Sequence, residues 1–142
     1  MGVSKSSARW EGSLKQGKGS MKPAHGSEAN FTLGSRFEGQ PASNPEELLG
    51  AALAGCFSMA LTSALEKAGF QPRSVSTNAD VTIEKGEGGF SITSIDLTTE
   101  ASVSGVDAGR FQALAEETKK NCPVSKALAA VPRVTLKANL AG

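Results

Sequence analysis

The hydrophobic pattern divides the chain around one long apolar stretch. From Asn44 to Gly69 the sequence reads NPEELLGAALAGCFSMALTSALEKAG, with eighteen consecutive uncharged residues from Leu48 to Leu65. Asn44 can cap a helix, Pro45 takes the first helical position with its φ preset, and Glu46 and Glu47 face the positive end of the dipole. Lys67 followed by Gly69 is a helix stop. The pattern predicts a helix roughly 36 Å long, comparable with the diameter of a small domain. Apolar on nearly every face, it is expected to be buried. Its glycines and alanines (among them Gly50, Ala51, Gly55 and Ala60) would let other backbones come close. Eighteen uncharged residues also reach the length of a membrane span. Ser58, Thr62 and Ser63 dilute the hydrophobicity and no aromatic belt or basic flank is present, so the expectation is a core helix and no membrane.

Around this helix the pattern is mostly that of strands. Residues 8–11, 20–23 and 29–33 read as three short strands separated by polar, glycine-bearing turns, and residues 34–44 as an irregular approach carrying Arg36. After Gly69, Val75, Thr77, Ala79, Val81 and Ile83 alternate with polar residues, and Lys85–Gly89 is a glycine-rich turn. A second strand follows through Val103, with a bulge or face switch near Ser94. Asp107 caps a helix running to about Asn121, with Phe111, Leu114, Ala115 and Thr118 on one side. Cys122–Pro123 breaks it and starts a shorter helix to about Ala130. Residues 133–140 close the chain as an edge strand. The expected class is α+β, with antiparallel sheet and helices packed on it, in a single domain spanning residues 1–142.

Composition narrows the possible functions. Length is sufficient for a real core, and a net charge of +1 with mixed signs gives no case for nucleic acid or a membrane surface. Residues 1–30 contain no apolar core segment of the kind a signal peptide needs, so the expected location is cytoplasmic. Two cysteines in a reducing compartment are more often catalytic or redox-sensing than structural. They form neither a CxxC pair nor a zinc signature, and neither metal nor cofactor is expected. His25, the one histidine, sits beside Gly26 and reads as a solvated turn residue.

The cysteines carry the candidate chemistry. Cys56 lies in the middle of the apolar helix, where a thiol can equally be an inert small hydrophobe. Cys122 precedes Pro123 at a helix start, where the dipole lowers a thiol's pKa. A peroxide-reducing cysteine needs a thiolate, a cation that stabilises it and polarises the O–O bond, and a second thiol to resolve the sulfenic acid. The chain has a candidate for each task, with an arginine and a glutamate upstream of Cys56. Helical geometry separates the two glutamates. Glu47 fits a capping box with Asn44 and lies nearly half a turn around the helix from Cys56, whereas Glu46 lies roughly 80° from it. Glu46 is therefore the candidate for orienting an arginine, the alternative being that it only complements the dipole.

The run NPEELLGAALAGCFSMAL, with RFEG upstream and NCPVSKAL downstream, resembles the OsmC branch of the OsmC/Ohr family of osmotically inducible and organic hydroperoxide resistance proteins. The likeness extends from ARWEG near the N-terminus through GFQPRSV, almost the whole chain. It implies an intertwined homodimer that reduces organic hydroperoxides with a cysteine. It further implies that Cys56 is the peroxidatic cysteine, Cys122 the resolving one that closes a Cys56–Cys122 disulfide, Glu46 the family's glutamate and Arg36 its arginine. An external dithiol, a lipoyl-type group in the Ohr branch, would be the reductant. Lys15 and Lys18 stand where the Ohr branch carries its arginine, so OsmC is the better fit. Leu53 replaces a histidine common in that branch, making the surroundings of Cys56 more apolar. With Leu49, Phe57 and Met59 it is expected to line a pocket favouring alkyl peroxides. A thiol redox sensor without turnover, and a structural dimer with two inert cysteines, are the alternatives.

Overall fold

A computed structural model describes residues 2–141. The chain forms two compact units, one up to Leu48 and the other from Leu49.

In the first unit, β1 (Ser6–Glu11), β2 (Lys18–Pro23) and β3 (Ala29–Phe31) make a three-stranded antiparallel sheet in that order. Trp10 packs on Phe31 across it, with ring centroids 5.4 Å apart. The stretch expected to be irregular contains a short helix, α1 (Leu33–Phe37). It is held by a reciprocal cap, in which the Ser35 amide donates to Thr32 Oγ1 at 3.0 Å and the Thr32 amide to Ser35 Oγ at 2.9 Å. Gly39, at φ 69°, then turns the chain in a conformation that favours glycine.

The long helix α2 (Pro45–Lys67) has the bounds its pattern predicts. Asn44 accepts the Glu47 amide at 2.8 Å as its cap. The other half of the expected capping box is replaced, because the Glu47 carboxylate accepts from the Ser43 hydroxyl at 3.0 Å.

In the second unit, β4 (Pro72–Gly86) and β5 (Gly89–Val103) form the long antiparallel hairpin. Thr82 pairs with Ser94 and Ile83 with Ile92, so Thr93 is an extra residue and the bulge lies one position from Ser94. Helices α3 (Ala108–Asn121) and α4 (Pro123–Ala127) lead to β6 (Arg133–Leu140), the edge strand of the order β4-β5-β6. β6 runs parallel to β5, not antiparallel as expected. Two helices stand between β5 and β6, and a crossover of that length returns the chain to run in the same direction.

The core of this unit is a stripe of α2 laid on the sheet and on α3. Leu53, Phe57, Leu61 and Leu65, spaced by four, are all at most 1% exposed, and they join Ile95, Leu97, Phe111 and Ala115. At Gly50 the helix comes close to β4, where a side chain's first carbon would lie 3.2 Å from the Ala79 carbonyl oxygen. A chain of hydroxyls ties the two elements, from Ser58 to Thr77 at 2.7 Å, between Thr77 and Thr99 at 2.9 Å, and from Thr99 to the Ser76 carbonyl. Buried hydroxyls so connected avoid an unsatisfied polar group in the core.

The expectation that α2 is buried on nearly every face does not hold within the chain. Ala51, Ala52, Gly55 and Met59 are exposed, Met59 by 78%. By length and composition alone α2 could cross a membrane, with mean hydropathy 1.8 over its most apolar window. Here its leucine and phenylalanine stripe is the core of the second unit.

Candidate active site

The four side chains singled out in the sequence form two pairs, one in each unit. In the first, α1 carries Arg36 in its last turn and α2 carries Glu46 in its first. Hydrogen bonds fix the backbone between them: Ser35 Oγ donates to the Ser43 carbonyl at 2.8 Å, the Ser43 amide to the Asn30 carbonyl, and Asn44 Nδ2 to the Ser35 carbonyl. Arg36 Nε lies 3.1 Å from both carboxylate oxygens of Glu46, and Nη2 lies 2.5 Å from Oε1. Such a fork fixes the plane of the guanidinium as well as its position. Glu46 is 6% exposed, whereas the Arg36 side chain is 35% exposed and stacks over the Phe37 ring at 5.1 Å. Nη1 makes no hydrogen bond among the described residues. Glu47 keeps its carboxylate on Ser43, and Glu46 is the glutamate that meets Arg36.

In the second unit, α2 presents Cys56 and the α3–α4 junction presents Cys122. Cys122 ends one helix and starts the next: its amide donates to the Thr118 carbonyl, and its carbonyl accepts from the Lys126 amide. Pro123 supplies the first position of α4 and gives up no needed donor. The two sulfurs are 2.8 Å apart, in hydrogen-bond contact, and both are free thiols.

Their acidities are pushed in opposite directions. Burial raises the Cys56 thiol, its hydrogen bond with Cys122 raises it further, and the Val124 amide only partly offsets this. Burial also opposes ionisation of Cys122. It is outweighed by the hydrogen bond shared with Cys56, the amides of Ser125 and Val124, and the dipole of the nearby Ser125 hydroxyl, which together lower that thiol below its ordinary range. Within the pair, negative charge settles on Cys122 more readily than on Cys56. A cation brought beside Cys56 would favour its thiolate.

The expected apolar lining is only partly present. Phe57 is wholly enclosed in the core and Met59 points to the exposed face of α2. Leu53 borders a small cavity of about 350 Å³ with Ile95, Ser125, Leu128, Val134 and three lysines, Lys119, Lys120 and Lys126, and neither cysteine is in its lining. Sequence reasoning missed Ser125; its signal was a serine three residues after the helix-starting Cys122, the spacing of a capping box. Among the described residues no cluster of three or more His, Cys, Asp or Glu side chains could hold a metal ion.

Comparison with known proteins places the chain. Residues 37–137 match the family described as OsmC-like protein. The peroxiredoxin OsmC proteins of Escherichia coli (strain K12) and Shigella flexneri are each 46% identical over 128 residues, covering 89% of this chain and 90% of theirs. The organic hydroperoxide resistance protein OhrB of Bacillus subtilis superposes with a TM-score of 0.69 at 26% identity, over 98% of both chains. An OsmC-like protein from Mycoplasma pneumoniae gives 0.76 over 99% of both chains, and at 13% identity that likeness is one of fold.

Proposed function

The chain belongs to the OsmC-like family and is a peroxiredoxin-like peroxidase, and we propose that it reduces organic hydroperoxides through Cys56 and Cys122 with Arg36 and Glu46 in support. The contact of the two sulfurs at 2.8 Å carries this reading. Thiols already touching exchange a sulfenic acid for a disulfide with little movement of the backbone.

In the proposed cycle the two pairs meet in the working protein, and residues 1–142 act as one OsmC-like domain. Arg36, its plane held by Glu46, turns its remaining N–H groups to Cys56 and to the peroxide. The Cys56 thiolate attacks the distal oxygen, the O–O bond breaks, and the departing alkoxide takes a proton to become the alcohol. Cys56 is left as a sulfenic acid. The Cys122 sulfur attacks it, water leaves, and a Cys56–Cys122 disulfide remains. An external dithiol, of lipoyl or another type, reduces that disulfide by exchange in the cytoplasm. The cation matters because burial holds Cys56 protonated. Consumption of cumene or tert-butyl hydroperoxide with excess dithiothreitol tests the reading. Many turnovers per chain are expected, whereas oxidation that stops after one equivalent would make the protein a redox sensor instead.

The working unit in this proposal is an intertwined homodimer. The exposed face of α2, with Ala51, Ala52, Gly55 and Met59, is small and apolar enough for a second α2 to pack closely against it. Met59→Glu is expected to convert a dimer into a monomer in sedimentation or size-exclusion measurements, with a loss of peroxidase activity. A variant that stays dimeric and fully active would remove this face from the interface.

A further inference from the structure

Reduction has to open the Cys56–Cys122 disulfide, and its two sulfurs are unequal targets. Cys56 is partly exposed, whereas Cys122 is 1% exposed. In thiol–disulfide exchange the incoming thiolate bonds to one sulfur and the other leaves with the electron pair, so access and leaving-group stability both select the direction. Beside Cys122, the Ser125 hydroxyl is shut off from solvent and completes no hydrogen bond among the described residues, acting on that sulfur only through its dipole. A buried donor left unpaired is costly, unless the group it serves appears at another stage of the cycle.

Taking the peroxidase reading above as given, we infer that the reducing dithiol attacks Cys56, that Cys122 is the leaving thiolate, and that Ser125 is the positioning residue whose hydroxyl donates a hydrogen bond to that thiolate. One thiolate of the dithiol forms an S–S bond to Cys56 Sγ, the Cys56–Cys122 bond breaks, and its electron pair goes to Cys122 Sγ. The second thiol gives up its proton and attacks the reductant's own sulfur in the mixed disulfide. A cyclic disulfide closes and Cys56 is released as a thiolate. The dithiol loses two electrons, the two protein cysteines gain them, and the protons reach the protein thiols or solvent. A hydrogen bond completed only as charge develops on Cys122 lowers this barrier without holding the disulfide back. The same hydroxyl favours the ionised form of Cys122 in the reduced chain.

The test starts from protein oxidised to the disulfide with diamide, so that it does not depend on reaction with a peroxide. A monothiol such as glutathione is added, the mixture is quenched rapidly with N-ethylmaleimide, and the two cysteine peptides are mapped by mass. Glutathione on Cys56 with maleimide on Cys122 is expected; glutathione mainly on Cys122 overturns the assignment. In parallel, Ser125→Ala should slow reduction of the disulfide by dithiothreitol roughly ten- to a hundred-fold, since hydrogen bonds to charged groups are the stronger ones. Ser125→Thr, which keeps the hydroxyl, should restore most of the rate. An unchanged rate in Ser125→Ala, or no rescue by threonine, removes Ser125 from the step. Failure of a hydroperoxide to form the disulfide would count against the peroxidase reading and leave the direction of thiol attack to be decided by the mapping.

Discussion

Cys56→Ser is expected to abolish hydroperoxide turnover, lowering the rate with cumene hydroperoxide by about three orders of magnitude or more, to the uncatalysed background. The substitution exchanges a sulfur for an oxygen of nearly the same size on a helix whose packing is set by Leu53, Phe57, Leu61 and Leu65. The fold should therefore survive, and the thermal midpoint should move by only a few degrees. What disappears is the nucleophile, because an aliphatic hydroxyl does not ionise under these conditions. Steady-state consumption of the peroxide with dithiothreitol, together with a melting curve, separates loss of chemistry from loss of structure. Equal rates in Cys56→Ser and the parent protein would end the proposed mechanism.

The second large effect is expected at Arg36. With burial holding Cys56 protonated, Arg36→Ala should lower the second-order rate with hydroperoxide by about 10²–10³-fold, the usual consequence of removing one preorganised donor from a reacting centre. The deficit should shrink as pH rises. Cys56 is shifted upward, so without the guanidinium its thiolate fraction grows only above the ordinary thiol range, while the parent's rate has already levelled. Arg36→Lys should rescue little, since an ammonium cannot reproduce the fork onto Glu46. Stability provides an internal control. Removing Arg36 strands a carboxylate that is 6% exposed. Because the arginine itself is partly exposed, the cost should be about 1–3 kcal/mol, below that of a fully buried pair. Adding Glu46→Gln should return much of that stability in urea unfolding while the activity stays low. Recovery of both together would make the pair structural.

Much of this architecture was legible from local pattern. Alternation from Val75 to Ile83 and again to Val103 located the hairpin, and caps at Asn44 and Asp107 bounded the two main helices, because these signals act within a few residues. The direction of β6 was not legible: alternating Val134, Leu136 and Ala138 look the same in a parallel and an antiparallel neighbour. Nor was α1, five residues long and dependent on the exchange between Thr32 and Ser35 rather than on any hydrophobic period. The exposed face of α2 is a third case. Its composition reads as buried, yet the chain alone covers one stripe, and what covers the rest cannot be read from apolar residues in one sequence.

At the site, helical geometry distinguished Glu46 from Glu47, because capping commits one of them and leaves the other free to meet Arg36. The closeness of Cys56 and Cys122 has no local signature, since they are 66 positions apart. The family resemblance supplied that pairing. Ser125 went unnoticed because a serine near a helix start ordinarily serves the backbone; only its buried, unpaired hydroxyl marks it out.

The most direct test of the account is a single turnover. Reduced protein is given one equivalent of cumene hydroperoxide, without dithiol, and its cysteine peptides are mapped by mass. The prediction is one alcohol released and one Cys56–Cys122 disulfide per chain, with Cys122→Ser instead yielding a sulfenic acid that dimedone traps on Cys56. Peroxide consumed while both thiols remain titratable, or dimedone found on any residue other than Cys56, would contradict it.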